Sequence, residues 1–320
     1  MKDVKWDFVK GVAISFVIIL HTLDSRTLSV IGHIWHIGQA VPLFILVTFV
    51  LSFISLSKRE GSEVSYWYSK KRWIVMLSKI WVPYLILQAI FLVVLIVLKD
   101  TNHLCSMVWG GGIGPGSYYP WIYLQFWLVM PFLYRLMRKV GVYWGGGILL
   151  IINEILQLGC SYLDVSENFY RLFAGRYLFL AFLGYLILKV DIKKFVFVLS
   201  AIIGIAFYLS LGRVNYEPWL FNSWMSQQLP AYFYTMCTLK VILLIYEKLE
   251  FSKFTKVLIL FGKYSWYIFL SQMLFTTITN VNMLSFVPNR IIQLSLYVIL
   301  VYILCVAPIF VFEYRKKIFL

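Results

Sequence analysis

An all-α, polytopic membrane bundle of about ten transmembrane helices, with both termini cytoplasmic, is the fold class this sequence predicts. Three observations predict it. The first is composition: of 320 residues, 61% are apolar and 13% are charged. That is too little charge to cover the surface of a water-soluble chain of this size. The second is a succession of apolar runs, many of them close to the ~20 residues that cross ~30 Å of hydrocarbon. The third is charge placement: with the N-terminus inside, 22 of the 29 Lys and Arg fall in inside segments, six fall outside, and Lys240 lies within a helix. An excess of cations that alternates loop by loop marks an even number of spans.

The expected spans follow in order. Segment 7–23 carries Lys10 near its start and His21 near its end. Segments 37–57 and 73–98 are mostly apolar, the second carrying Lys79, 120–137 carries Gln125, and 143–158 carries Asn153 beside Glu154. Arg176 opens 172–188, and 194–211 and 229–247 follow. Segment 257–279 holds Ser265, Tyr267 and Gln272, and 291–312 ends the series. Helix is the form expected for each, because an open strand leaves its backbone unsatisfied in lipid. The whole chain, 1–320, is expected to be one integral-membrane domain. The first apolar stretch is expected to be retained, since His21-Thr22-Leu23-Asp24 after Leu20 is no small-x-small cleavage site. Any accessory soluble domain is expected to be a separate protein.

Other classes are excluded by the same numbers. The net charge of +15 reads as topology rather than a nucleic-acid surface, so no nucleic-acid partner is expected. Disorder, collagen and disulfide-rich secreted scaffolds do not fit the composition. Cys105, Cys160, Cys237 and Cys305 are isolated, with neither metal nor redox spacing. The glycine run from Gly110 to Gly116 lacks the Lys-Ser/Thr of a phosphate loop and reads as a flexible extracytoplasmic loop. His33 and His36 have no third ligand beside them, and no metal is expected.

Ionisable groups within spans are costly, and each is a candidate site. Lys10 and His21 are eleven residues apart, about 20° apart around a helix and ~16 Å along it, so they share a face. Asp7, three residues before Lys10, is placed to pair with it. Asp24, one turn beyond His21, is placed to orient the imidazole. Structural alternatives stand beside these readings: Lys10 as a snorkelling anchor, and His21 as a helix-end histidine at the outer interface. Glu154 reads either as a site residue or as half of a buried pair with Lys or Arg. Gln125, Ser265, Tyr267 and Gln272 either line a cavity or join helices by hydrogen bonds.

The motifs in their order resemble the acyltransferase-3 family of bacterial membrane-bound acyltransferases. Asp7-Phe8-Val9-Lys10-Gly11-Val12-Ala13, with His21 eleven residues after Lys10, is similar to the family's opening D-x-x-[RK]-G-x-A and [RK]-x10-H. Val41-Pro42-Leu43-Phe44-Ile45-Leu46 is similar to its "PLFFFLSGF" helix, with Val47-Thr48 in place of the Ser-Gly. Lys70-Lys71-Arg72, followed by Lys79-Ile80-Trp81-Val82-Pro83-Tyr84, is similar to a basic stretch ending in R-I-x-P-Y. Trp121 to Pro131, Arg176 to Tyr185 and Gly262 to Leu270 continue the series. The family's late histidine is Gln272 here, which can hydrogen-bond but cannot act as a base.

The resemblance implies transfer of an acyl group, usually acetyl from acetyl-CoA, to a hydroxyl of a surface glycan or lipid-linked sugar at the bacterial cytoplasmic membrane. It implies His21 as general base, with Asp24 and Glu154 as catalytic candidates beside it. Lys10, Lys70, Lys71, Arg72 and Lys79 become candidates for the donor's phosphates. Arg176, Gln125, Ser265, Tyr267 and Gln272 become candidates for the acceptor, with Arg176 facing an anionic acceptor or a developing oxyanion. The lipid bilayer is the expected environment, and a homo-oligomer is compatible with the sequence. The alternative is a transporter or flippase for a glycan or acyl precursor.

Overall fold

The computed structural model describes residues 4–98, 104, 109–211 and 222–318, which are mostly helical with no strand among them. Lys2, Lys99, Cys105 and Arg213 lie outside the described residues. The helices are α1 (Val4–Thr22), α2 (Ser25–Val30), α3 (Ala40–Ser57), α4 (Glu63–Trp67), α5 (Lys70–Met76), α6 (Val82–Leu98), α7 (Tyr119–Val140) and α8 (Val142–Tyr162). They continue as α9 (Glu167–Leu172), α10 (Leu178–Lys189), α11 (Lys194–Leu211), α12 (Leu229–Leu249), α13 (Lys253–Lys263), α14 (Ser265–Ile278) and α15 (Arg290–Ile318). Five stretches are long and apolar enough to cross a membrane: Ile37–Ser57, Lys70–Val97, Val142–Tyr162, Leu229–Leu249 and Arg290–Val311. A sixth is α13 with α14, if that pair, bent by 78°, is one span.

The outward surface agrees with a bilayer environment. Leu85, Ile86, Ile90, Val93, Ile96 and Val97 all project from α6 into the surroundings. An apolar face of that extent is stable against lipid and not against water.

The chain forms two compact units, each discontinuous in sequence. The first holds residues 1–40, 113–117 and 243–320. The second holds 41–112 and 118–242.

In the first unit α1 crosses α13 with their backbones almost touching. A Cβ at Gly11 would lie 1.9 Å from the Leu258 carbonyl oxygen, and one at Gly262 only 1.6 Å from that of Asp7. No side chain fits either place. Just beyond Gly262, at the bend after α13, Lys263 (2.7 Å) and Tyr264 both donate to Glu313 of α15. The sequence reads 257–279 as one straight span, and these contacts are the reason it is not straight. Ser15 bonds Tyr302 at 2.8 Å, tying α1 to α15.

Aromatic rings fill the second unit. Phe49 of α3 meets Phe126 of α7 at 4.8 Å, and Phe53 packs on Tyr134 and Tyr185. Pro131 inside α7 has no N–H for the Trp127 carbonyl, and the indole N–H of Trp67 bonds that oxygen instead at 2.7 Å. Pro83 follows a π-helical turn, Leu77–Trp81, which widens the coil where the proline ring meets the preceding turn. The expected span 172–188 begins as an α-helix only at Leu178. Gln125 holds the chain before it, donating to Leu172 O at 2.6 Å and accepting from Ala174 N at 3.1 Å. Glu63, fully buried, is matched by Arg135 at 3.2 Å and Arg138 at 2.9 Å. Burial raises its pKa, but backbone donors at Glu63 and Gly61 together with the two arginines outweigh that and hold the carboxyl below its ordinary value.

The glycine run is ordered where described, which corrects its reading as a flexible loop. Gly111, Gly112, Gly114 and Gly116 have φ of 79°, 114°, 95° and 83°, the left-handed region that favours glycine. In the second unit the Gly111 carbonyl accepts from Tyr84 OH and from Trp121 Nε1 at 3.0 Å. In the first, Gly116 lies against the Phe269 ring.

The α1–α13 crossing makes a direct prediction. Gly11→Ala or Gly262→Ala should destabilise the protein by ~2 kcal/mol, the scale of overpacking. Gly147, with open space at its Cβ position, should tolerate alanine or gain ~0.5–1 kcal/mol from helix propensity. Thermal unfolding of the three variants in one detergent checks this, and equal melting temperatures would contradict it.

Candidate functional site

The first unit contains Lys10, His21, Asp24, Ser265, Tyr267 and Gln272. Since α1 is unbroken from Val4 to Thr22, Lys10 and His21 share a face, ~16 Å apart along the axis. Ile14 and Val17 lie between them on that face and are buried at 0% and 4% exposure. The face is therefore packed and does not look outward. Lys10 donates to Asp7 at 2.7 Å, the pairing the spacing predicts. His21 is half-buried, and its imidazole has neither hydrogen-bond nor ion-pair partner among the described residues.

Asp24 does not orient His21. The helix stops at Thr22, so the one-turn spacing no longer applies beyond it. Asp24 instead caps α2, where its Oδ1 accepts from Thr27 N at 2.8 Å. Its Oδ2 accepts from Arg290 at 3.1 Å. The Thr27 bond first, and Arg290 after it, hold this carboxyl below its ordinary range. His33 and His36 are spent on the same connection: His33 Nδ1 bonds Leu28 O at 3.0 Å, and His36 bonds Ile31 O and accepts from Ile37 N. Among the described residues, no group of three or more His, Cys, Asp or Glu gathers as metal ligands.

On α14 the three candidates diverge. Ser265 opens the helix. Tyr267 is 49% exposed. Gln272 is fully buried, donates to Thr276 at 3.0 Å, and keeps an Oε1 with no partner.

The second unit contains Lys70, Lys71, Arg72, Lys79, Gln125, Glu154 and Arg176. Lys70, Lys71 and Lys79 are exposed, and none pairs with a carboxylate among the described residues. Arg72 is committed: it lies 4.0 Å from the Trp67 ring and donates to Ser55 at 3.2 Å and to Tyr66 at 2.9 Å. Gln125 is a structural clamp, as described above. Glu154 touches Asn153 at 3.4 Å and has no Lys or Arg partner among the described residues, so the buried ion pair is not formed.

Arg176 is 1% exposed within a ring of aromatic side chains. Its guanidinium lies 4.7 Å from the Tyr170 ring, 4.6 Å from Tyr177 and 4.5 Å from Trp224. Sequence reading found Arg176 but not the cage, because Trp224 and Gln227 arrive from about 50 residues further along. Comparison with protein-family models, with curated proteins and with solved structures finds no match for this chain.

The Asp24 geometry sets a pH dependence. A carboxyl whose pKa is lowered by folding stabilises the fold above the ordinary carboxylate pKa of ~4 and loses that contribution as pH falls through the lowered value. Hydrogen exchange at the Thr27 amide, corrected for the intrinsic rate, should therefore accelerate only in acid in the wild type. In Asp24→Ala it should already be fast at neutral pH. Equal protection of the two proteins at neutral pH would contradict the capping role.

Proposed function

We propose that this protein is a ten-helix membrane O-acyltransferase of the acyltransferase-3 kind, with both termini in the cytoplasm of a bacterial cell. It moves an acyl group, acetyl in the simplest case, from cytoplasmic acyl-CoA to a hydroxyl of an extracytoplasmic glycan. The observation that carries the reading is His21, an imidazole with no partner among the described residues, on the face of α1 that also carries the ion-paired Lys10. A histidine kept only for structure would be expected to use its ring nitrogens, as His33 and His36 do.

The chemistry asks for a neutral imidazole. A ring nitrogen of His21 takes the proton from the acceptor hydroxyl as its oxygen attacks the thioester carbonyl. The tetrahedral intermediate collapses with cleavage of the C–S bond, and the proton passes from the imidazolium to the departing thiolate. The products are an O-acyl ester and free CoA. Donor phosphates are a natural match for cations, and Lys70, Lys71 and Lys79 pair with no carboxylate among the described residues. Lys10, held by Asp7, marks the donor end of α1. The general base is His21; Asp24 is engaged elsewhere, and Glu154 stays a catalytic candidate.

His21→Ala should lower transfer by ~10²-fold or more, the range for loss of a general base. The protein should remain folded and membrane-inserted. Mass spectrometry of surface glycans from a deletion strain, complemented with wild type or variant, reads the result. A mass increment that needs His21 supports the reading. Near-normal acylation by the variant, or exported glycan of unchanged mass with wild type, would overturn it, and the second result would favour a transporter.

A further inference from the structure

A buried guanidinium without a carboxylate is an expensive arrangement. Removing a charge from water costs several kcal/mol unless another charge and good hydrogen bonds compensate it. Arg176 has only part of that compensation. Its Nη2 makes two long contacts, 3.3 Å to Arg171 O and 3.4 Å to Gln227 Oε1. Its Nε and Nη1 are buried with no hydrogen-bond partner. No carboxylate pairs with it among the described residues. The three ring faces attract the cation but carry no net charge to neutralise it.

Beside the cage sit one further cation, Arg171, and one carboxylate, Glu167, whose charge acts on Arg171. Arg171 lies five residues earlier, over the Tyr118 ring at 5.6 Å. The nearby carboxylate, Glu167, accepts from Trp224 Nε1 at 2.9 Å. The cage is built to hold its shape. Tyr177 donates to Gln227, and Tyr232 donates to Gln227 O at 2.7 Å and to Arg176 O at 3.0 Å. Tyr170 and Tyr177 are fully buried, whereas Trp224 is partly exposed, so the indole is the wall facing the surroundings. Rigid walls around free donors describe a receptor for an anion.

We infer that Arg176 anchors a binding subsite for an oxyanion carried by a carbohydrate, whether the carboxylate of an acidic sugar or a sugar-linked phosphate. That the anion belongs to a carbohydrate rests on the acyl-transfer reading; that an anion binds does not. The subsite selects acceptors by charge and takes no part in proton transfer.

The test uses full-length protein in nanodiscs, with no acyl donor present, so that its outcome is separate from that of the transfer assay. Tryptophan fluorescence is followed while glucuronate, glucose 1-phosphate or neutral glucose is added, with sodium chloride matching ionic strength. Wild type should give a saturable response to glucuronate or to glucose 1-phosphate and none to glucose or chloride. The responding probe names the oxyanion. Trp224→Phe should remove the optical response, and Arg176→Gln should weaken binding by about tenfold or more, the scale for one charge-assisted contact. Arg176→Lys should fall between. If Arg176→Gln fails to fold, wild type against Trp224→Phe still decides. No saturable response to either anion, the same response to glucose, or unchanged affinity in folded Arg176→Gln would overturn the inference.

Discussion

The crossing of α1 over α13 is the contact on which the first unit depends. Gly11 and Gly262 let two backbones approach within the space a single methyl would occupy. That contact sets the rotation of α1 about its own axis. With the rotation set, Ile14 and Val17 turn inward, and Lys10 and His21 turn with them. The chemistry assigned to His21 thus rests on two residues that have no side chain. Helix association in lipid has no hydrophobic drive of its own and relies on such close backbone packing.

The second unit answers the cost of buried charge in two opposite ways. Glu63 is sealed from the surroundings and met by two arginines and backbone donors, which makes it a fastener for α4 and α7. Arg176 is equally sealed, and, like Glu63 Oε1, its Nε and Nη1 have no hydrogen-bond partner, but among the described residues no opposite charge pairs with it. A satisfied network rigidifies, whereas an unsatisfied one waits for a partner. The difference within one unit is that Glu63 has its counter-charges and Arg176 has none among the described residues.

Much of the helical layout was legible in the sequence, because apolar length is a local property. Most of each of the ten apolar segments is helical where described, with breaks at Phe173 and Tyr264, and the Asp7–Lys10 pair follows from spacing alone. What local pattern could not show are the places where a distant partner intervenes. The bend after Lys263 depends on Glu313, and the late start of α10 depends on Gln125. Asp24 was misread because helical spacing holds only while the helix continues, and α1 ends two residues short of it. The aromatic cage of Arg176 has no sequence signal, since its parts come from three separated stretches.

The most direct measurement of the central claim is where the acyl end of the donor lies in the bound complex. An acyl-CoA with a photoreactive acyl chain, incubated with the full-length protein in nanodiscs and irradiated, should label the outer half of α1, around Val17 to Thr22. Free CoA in excess should abolish that labelling. Labelling confined to other helices, or labelling of α1 that CoA does not compete away, would contradict the account.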